Sequence, residues 1–291
     1  MNEIQKLIEL ALKEDIGKGD ITSEALIPKN QLGKAEIVAK QKGILAGIRI
    51  PEIIFKKIDK DLHFKPLKKD GESFKPKEKI ALIEGRLDSI LKGERTALNF
   101  LQKLSGVATL TNDFVTELKN KNLKILDTRK TTPGFRALEK YAVKAGGGEN
   151  HRMGLYDMIL IKENHIKAAG GIIPAIRKAE TALGEKSFLD RFKKNRKLKV
   201  EVETKNINEV KKALGFEIDM IMLDNMPIQM IKKASRIIRD FKKDVKIEVS
   251  GNIDLKNIKA YSHLDIDYIS IGALTHSSKA IDFSLKVTRI R

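Results

Sequence analysis

The stretch Asp127-Thr128-Arg129-Lys130-Thr131-Thr132-Pro133-Gly134 places a carboxylate, two cations and three hydroxyls directly after the apolar run Leu123-Lys124-Ile125-Leu126. Opposite charges at the end of a strand-like run suit a solvated turn or the floor of a site for a multiply charged ligand. Five further apolar runs end in a similar way: MILIK at Lys162, KVEVE at Glu203, MIMLD at Asp224, KIEVS at Ser250 and YISIG at Gly272. Any one of these ends is an ordinary turn residue. Six in order, with cations first, carboxylates next and small residues last, point to one shared mouth.

Each group has a distinct chemistry. Arg129, Lys130 and Lys162 supply positive charge, and Gly146-Gly147-Gly148 precedes His151 and Arg152 in a segment able to bring both over an anion. Arginine suits bidentate binding of carboxylate or phosphate. Ser250-Gly251-Asn252 and Gly272-Ala273 lead into turns where small residues admit an anion to backbone N–H groups. Glu203 and Asp224 offer hard oxygens, suited to Mg²⁺ or to a positively charged transition state. At an effective dielectric of ~20, a carboxylate about 4 Å from a developing cation contributes on the order of 4 kcal/mol, against ~1 in water. No HExxH or histidine-rich spacing supports zinc.

Positioning these groups requires a regular scaffold. Helical patterns at about 136–145, 172–183, 207–214, 227–240 and 254–261 separate the six runs, and Pro174 and Pro227 fall near helix starts. Strands apolar on both faces that alternate with helices define a buried parallel sheet. Six units favour an incomplete, open β/α barrel. Before residue 105 the pattern differs: an amphipathic first helix, strands at 34–40 and 80–84, a helix begun at Pro51 and another over about 88–104. This mixture predicts a small N-terminal α+β domain of open-sandwich type.

The chain has 291 residues, 41% of them hydrophobic, enough to bury a sizeable core and no composition for disorder. No run approaches a membrane span, and the N-terminus reads as a helix rather than a signal peptide, so a cytoplasmic protein is expected. The absence of cysteine excludes disulfides, thiolate metal sites and a cysteine nucleophile. The net charge of +18 comes from lysines scattered over the whole length, which favours a solvated surface. With four tyrosines, no tryptophan and no nucleic-acid motif, neither a nucleic-acid nor a membrane partner is expected.

The residues also carry a family resemblance. DTRKTTPGFRALEKYAVKAGGGENHRMGLYDMILIKENH resembles the central block of the quinolinate phosphoribosyltransferases, the carboxylating nicotinate-nucleotide diphosphorylases. EDIGKGDIT, ERTALNFLQKLSGVAT, EVE before Asn206, LDN at 223–225, EVSGNI and ISIGALTHS match in order along almost the whole chain. The resemblance implies an α/β sandwich over 1–104, joined by a returning segment at 280–291, and an open barrel over 105–279. It also implies a homodimer or higher homo-oligomer in which Arg95 reaches the partner's site. The reaction would join quinolinate to phosphoribosyl pyrophosphate in de novo NAD synthesis, releasing nicotinate mononucleotide, pyrophosphate and CO₂. Mg²⁺ would be held mainly through oxygens of the donor, with Glu203 and Asp224 nearby.

Carried onto matching positions, Arg95, Arg129, Arg152 and Lys162 would hold the two carboxylates of quinolinate, supported by His151. Thr128 lies in the same block, and Lys130 would meet the pyrophosphate. Lys130, Lys162, Glu203 and Asp224 would form the catalytic group, the two carboxylates binding ribose and its cationic centre. Ser250, Gly251, Asn252, Ile271, Gly272 and Ala273 would receive the 5′-phosphate, with His276 beside them. Plainer readings apply elsewhere. Asp127 orients its neighbours, EDIGKGDIT caps local structure through Asp20 or Thr22, and 184–197 is a solvated surface insertion. Rival readings are a Schiff-base aldolase using Lys162, a sibling transferase with a different acceptor, and a basic nucleic-acid binder.

Overall fold

The computed structural model describes residues 3–120, 122–192 and 198–290, so part of the 184–197 insertion lies outside the described residues. The chain divides into two compact units, 1–112 with 131–147 and 274–291, and 113–130 with 148–273.

In the first unit, alternating burial along Leu32–Ala39 and Lys79–Arg86 gives each strand a core face. These strands pair antiparallel in a four-stranded sheet ordered Phe283–Ile290, Leu32–Ala39, Lys79–Arg86, His63–Pro66. The pairing of Phe283–Ile290 with Leu32–Ala39 returns the late chain to the first sheet. Phe55, Leu62, Phe74, Ile80 and Ile83 are fully buried around it, each contributing roughly 1.5–3 kcal/mol by burial. Asp20 caps the helix Ile21–Leu26 by accepting from the Ser23 N–H at 3.1 Å, the capping role expected of EDIGKGDIT.

The helix expected over 88–104 spans Leu87–Leu118 and runs unbroken past residue 104. Gly106 on it is dictated by close approach, because a Cβ there would stand 2.1 Å from the Lys279 carbonyl oxygen.

In the second unit, the six apolar runs form one parallel sheet. Its order is Lys124–Leu126, Tyr268–Ser270, Lys246–Ser250, Met220–Asp224, Val200–Thr204, Ile159–Ile161. The helices Ile172–Gly184, Ile207–Leu214 and Ile228–Phe241 fall where the periodicity sets them. Two expectations differ. Residues 254–261 yield only a 3₁₀ turn at Ile258–Tyr261, and Glu163–Ala169 forms a helix not foreseen. Ser250 registers with both Asp224 and Ser270, which aligns the strand ends at one edge. The result is an open α/β barrel next to an α+β unit in the chain.

Candidate active site

Strand alternation decides what the barrel presents. Along Val200–Thr204, Glu201 and Glu203 share one face while Val200, Val202 and Thr204 share the other. The same parity puts Met220, Met222 and Asp224 together on the next strand, and Glu248 with Ser250 on the one after. The face with charged strand ends is therefore also charged one layer deeper.

The edge beyond Lys124–Leu126 is lined by the glycine-rich segment. The Glu149 N–H donates to the Ile125 carbonyl at 2.8 Å, and the Asp127 N–H donates to the Glu149 carbonyl at 3.2 Å. Asp127, fully buried, accepts from Asn150 Nδ2 at 2.5 Å and from the His151 N–H at 3.0 Å. Asp127 thus orients its neighbours, as the sequence suggests. Thr128 Oγ1 accepts from the Lys130 N–H at 3.0 Å, an ST-type turn that leaves Arg129 and Lys130 exposed at the strand end.

Arg152 is buried and donates Nη1 to the Met158 carbonyl at 3.1 Å. Burial first, and the Arg129 charge second, hold its guanidinium below the usual arginine range. Two like charges kept close attract an anion.

Lys162 Nζ stands 3.5 Å from Glu203 Oε2, and the Glu163 N–H donates to Glu203 Oε1 at 3.2 Å. His165 Nδ1 accepts from the Lys162 N–H at 3.0 Å, so this histidine shapes the helix start. Asp224 is half-buried and accepts from Asn225 Nδ2 at 2.8 Å.

The small-residue turns are tied together. The Asn225 N–H donates to the Ser250 carbonyl at 2.8 Å, and Asn252 Nδ2 donates to Asn225 Oδ1 at 3.2 Å. Gly251 has φ +100°, and a Cβ there would lie 2.2 Å from Asn225 Oδ1, so no side chain fits without a shift. Ile271 is buried, donating its N–H to the Leu126 carbonyl at 2.9 Å, and Gly272 and Ala273 follow half-exposed.

Arg95 and His276 belong to the first unit. Arg95 is exposed on the long helix, and His276 Nδ1 lies 2.6 Å from Ser277 Oγ. Also in the first unit, buried Glu139 accepts from the Thr132 N–H at 3.0 Å and hydroxyl at 2.8 Å, and pairs with Lys103 at 3.2 Å. The sequence reading missed Glu139. A glutamate on the apolar face of the helix Arg136–Ala145 was the available signal.

It also missed Glu201 and Glu248 as a unit with His151. Burial works against a charge on the His151 imidazole, while the Glu201 and Glu248 carboxylates beside it favour one. Burial, and then the Glu248 charge, push the Glu201 carboxyl up to about 7. Ligand atoms of His151, Glu201 and Glu248 lie within 4.8 Å of one another, a spacing compatible with a metal ion. Their mutual contacts are nevertheless at hydrogen-bonding and ion-pair distances.

An open α/β barrel whose strand ends carry arginines, lysines, two carboxylates and glycine turns suits an enzyme that acts on multiply charged, phosphorylated substrates. The N-terminal domain of quinolinate phosphoribosyl transferase matches residues 20–105, and its C-terminal domain matches residues 107–286. A Bacillus subtilis protein named a probable nicotinate-nucleotide pyrophosphorylase (carboxylating) is 42% identical over 99% of this chain and 95% of its own. The NadC structure from Streptococcus pyogenes superposes with a TM-score of 0.90 at 37% identity, covering 99% of this chain and 96% of that one. The nicotinate-nucleotide pyrophosphorylase from Francisella tularensis gives 0.89 at 41%, covering 98% and 96%. The chain belongs to the quinolinate phosphoribosyltransferase family. No helix among the described residues is long and apolar enough to cross a membrane.

Proposed function

We propose that the barrel's strand ends transfer the phosphoribosyl group of phosphoribosyl pyrophosphate to the ring nitrogen of quinolinate, giving nicotinate mononucleotide, pyrophosphate and CO₂. The observation that supports this reading is the set of cations in the parallel-sheet unit: Arg129 exposed just past one strand end, Lys162 just past another, and Arg152 buried on the glycine-rich segment paired to the sheet edge. Quinolinate has two adjacent carboxylates, which two guanidiniums and Lys162 can meet together.

The chemistry follows from charge. As the bond from the sugar carbon to pyrophosphate breaks, positive charge develops on that carbon. Glu203 and Asp224, on neighbouring strands, stabilise it and take hydrogen bonds from ribose hydroxyls. Lys130 meets the departing pyrophosphate. The ring nitrogen attacks, forming a pyridinium. The neighbouring carboxylate then leaves as CO₂, its bonding electrons remain on the ring carbon beside the positive nitrogen, and a proton replaces it there. Ser250, Gly251, Asn252, Ile271, Gly272 and Ala273 hold the 5′-phosphate, with His276 next in the chain.

Glu203 receives Lys162 and the Glu163 N–H, and one Asp224 oxygen receives Asn225, so these two strand-end carboxylates are partly engaged and form a sparse donor set for a six-coordinate cation. That donor set fits Mg²⁺ held mainly by substrate oxygens, with Glu203 and Asp224 beside it. Mg²⁺ would neutralise the pyrophosphate as it leaves. Arg95 is assigned to the site of a second copy in a homodimer, and the protein to the cytoplasm.

The deciding assay supplies quinolinate, phosphoribosyl pyrophosphate and Mg²⁺ and follows nicotinate mononucleotide. Formation of product is expected, and none from folded protein refutes the proposal. Mixing inactive Arg95→Ala with inactive Lys162→Ala should restore activity through hybrid dimers; no recovery in mixed dimers would contradict the shared site.

A further inference from the structure

Glu201 and Glu248 are fully buried on strands separated by Met220–Asp224. Burying two carboxylates is costly, so each needs a partner. They meet on one ring. His151 Nε2 lies 3.0 Å from Glu201 Oε2 and 3.3 Å from Glu248 Oε2. The Ser270 hydroxyl donates to the other oxygen of Glu248.

The opposite side of the ring points toward the acceptor-binding arginine. His151 Nδ1 accepts from the Arg152 backbone N–H at 2.7 Å. The His151 N–H is itself held by Asp127 at 3.0 Å. Successive peptide N–H groups are therefore gripped, one by a buried carboxylate and one by an imidazole that two more carboxylates hold.

We infer that Glu248 and Glu201 are positioning residues for the acceptor: they fix the His151 ring, which fixes the Arg152 peptide and so the aim of its guanidinium. This rests on the proposed role of Arg152 in binding quinolinate. A ring whose Nε2 bonds Glu201 and faces Glu248 cannot turn without breaking that bond beside buried carboxylates, so its Nδ1 stays aimed at the Arg152 N–H. With Nδ1 kept as an acceptor, the ring carries its proton at Nε2, facing the carboxylates. A merely structural cluster would, when damaged, weaken both substrates alike or only lower stability.

Glu248→Ala separates these cases. It should raise the quinolinate KM on the order of 10–100-fold, because small misalignments of a binding group carry such losses. The kcat should change far less, and phosphoribosyl pyrophosphate binding measured without quinolinate should stay at the wild-type level. Glu248→Gln keeps an amide oxygen beside His151 Nε2 and can donate its amide to Ser270 Oγ, so it should restore near wild-type KM. If Glu248→Ala does not fold, Ser270→Ala decides: it should raise the quinolinate KM alone, by a smaller factor. Unchanged quinolinate KM in these variants, equal loss for both substrates, or no rescue by Glu248→Gln would overturn the inference. A folded wild type that binds neither substrate instead refutes the functional reading, and the inference falls with it. An active wild type with a silent Glu248→Ala sinks the inference alone.

Discussion

Glu201 and Glu203 share a strand and a face, yet their surroundings differ. Glu201 is fully buried against an imidazole at 3.0 Å, whereas Glu203, one layer higher, meets the half-exposed ammonium of Lys162 at 3.5 Å. The deep layer pairs charged groups with one another within the chain, although Glu201 Oε1 and Glu248 Oε2 take no hydrogen bond from the described residues. The upper layer has looser contacts, open to a ligand that supplies missing charge. Under the proposed function, the contrast teaches a division of labour: a layer that sets geometry beneath a layer that performs chemistry. Placing catalytic charges directly in the deep layer would incur desolvation of each without a substrate to offset it.

The largest test removes chemistry from the upper layer. Asp224→Ala should lower kcat by about three orders of magnitude, the equivalent of ~4 kcal/mol of lost charge stabilisation, with quinolinate affinity little altered. Steady-state kinetics measure this, and a loss confined to KM would erase the distinction between layers. Arg129→Ala should come next, raising the quinolinate requirement roughly 10–100-fold through loss of a charge-assisted contact of about 1.5–3 kcal/mol. Gly251→Ala should act on the donor instead, raising the phosphoribosyl pyrophosphate KM, because the new Cβ presses on Asn225.

The deep layer should reveal itself through pH. The folded Glu201 value of about 7 exceeds the ordinary 4.5, so the stability it contributes is complete below pH 4.5 and lost as pH rises through 7. The melting-temperature advantage of wild type over Glu201→Gln should therefore shrink as pH rises from 4.5 through 7, and a pH-independent gap would count against a raised Glu201 value. The smallest effect belongs to the solvent-exposed pair Lys205–Glu163, 2.6 Å apart. Lys205→Ala should leave melting temperature and kinetics unchanged, since exposed ion pairs contribute little.

Much of this was legible in the sequence, for identifiable reasons. Six strands read correctly because apolar runs with polar ends and intervening helices leave few alternatives, and the strand ends gave the upper layer directly. The helix at Glu163–Ala169 was obscured because its start depends on His165 reaching back to the Lys162 N–H. The deep layer was hidden by distance: His151 and Glu201 are fifty residues apart in sequence. A glutamate alternating with valines in KVEVE nevertheless marked a conflict between charge and burial. Glu139 was missed similarly, since its partner Thr132 lies in the turn before its own helix.

The pairing of Phe283–Ile290 with Leu32–Ala39 has a consequence for the order of synthesis. The first sheet lacks one edge until residue 290 has left the ribosome, so an early strand waits for a late one. Every strand of the parallel sheet lies between Lys124 and Ser270 and can pair before then. During translation the barrel's strands are therefore complete first, and the earliest segment of the chain is the last to close its sheet.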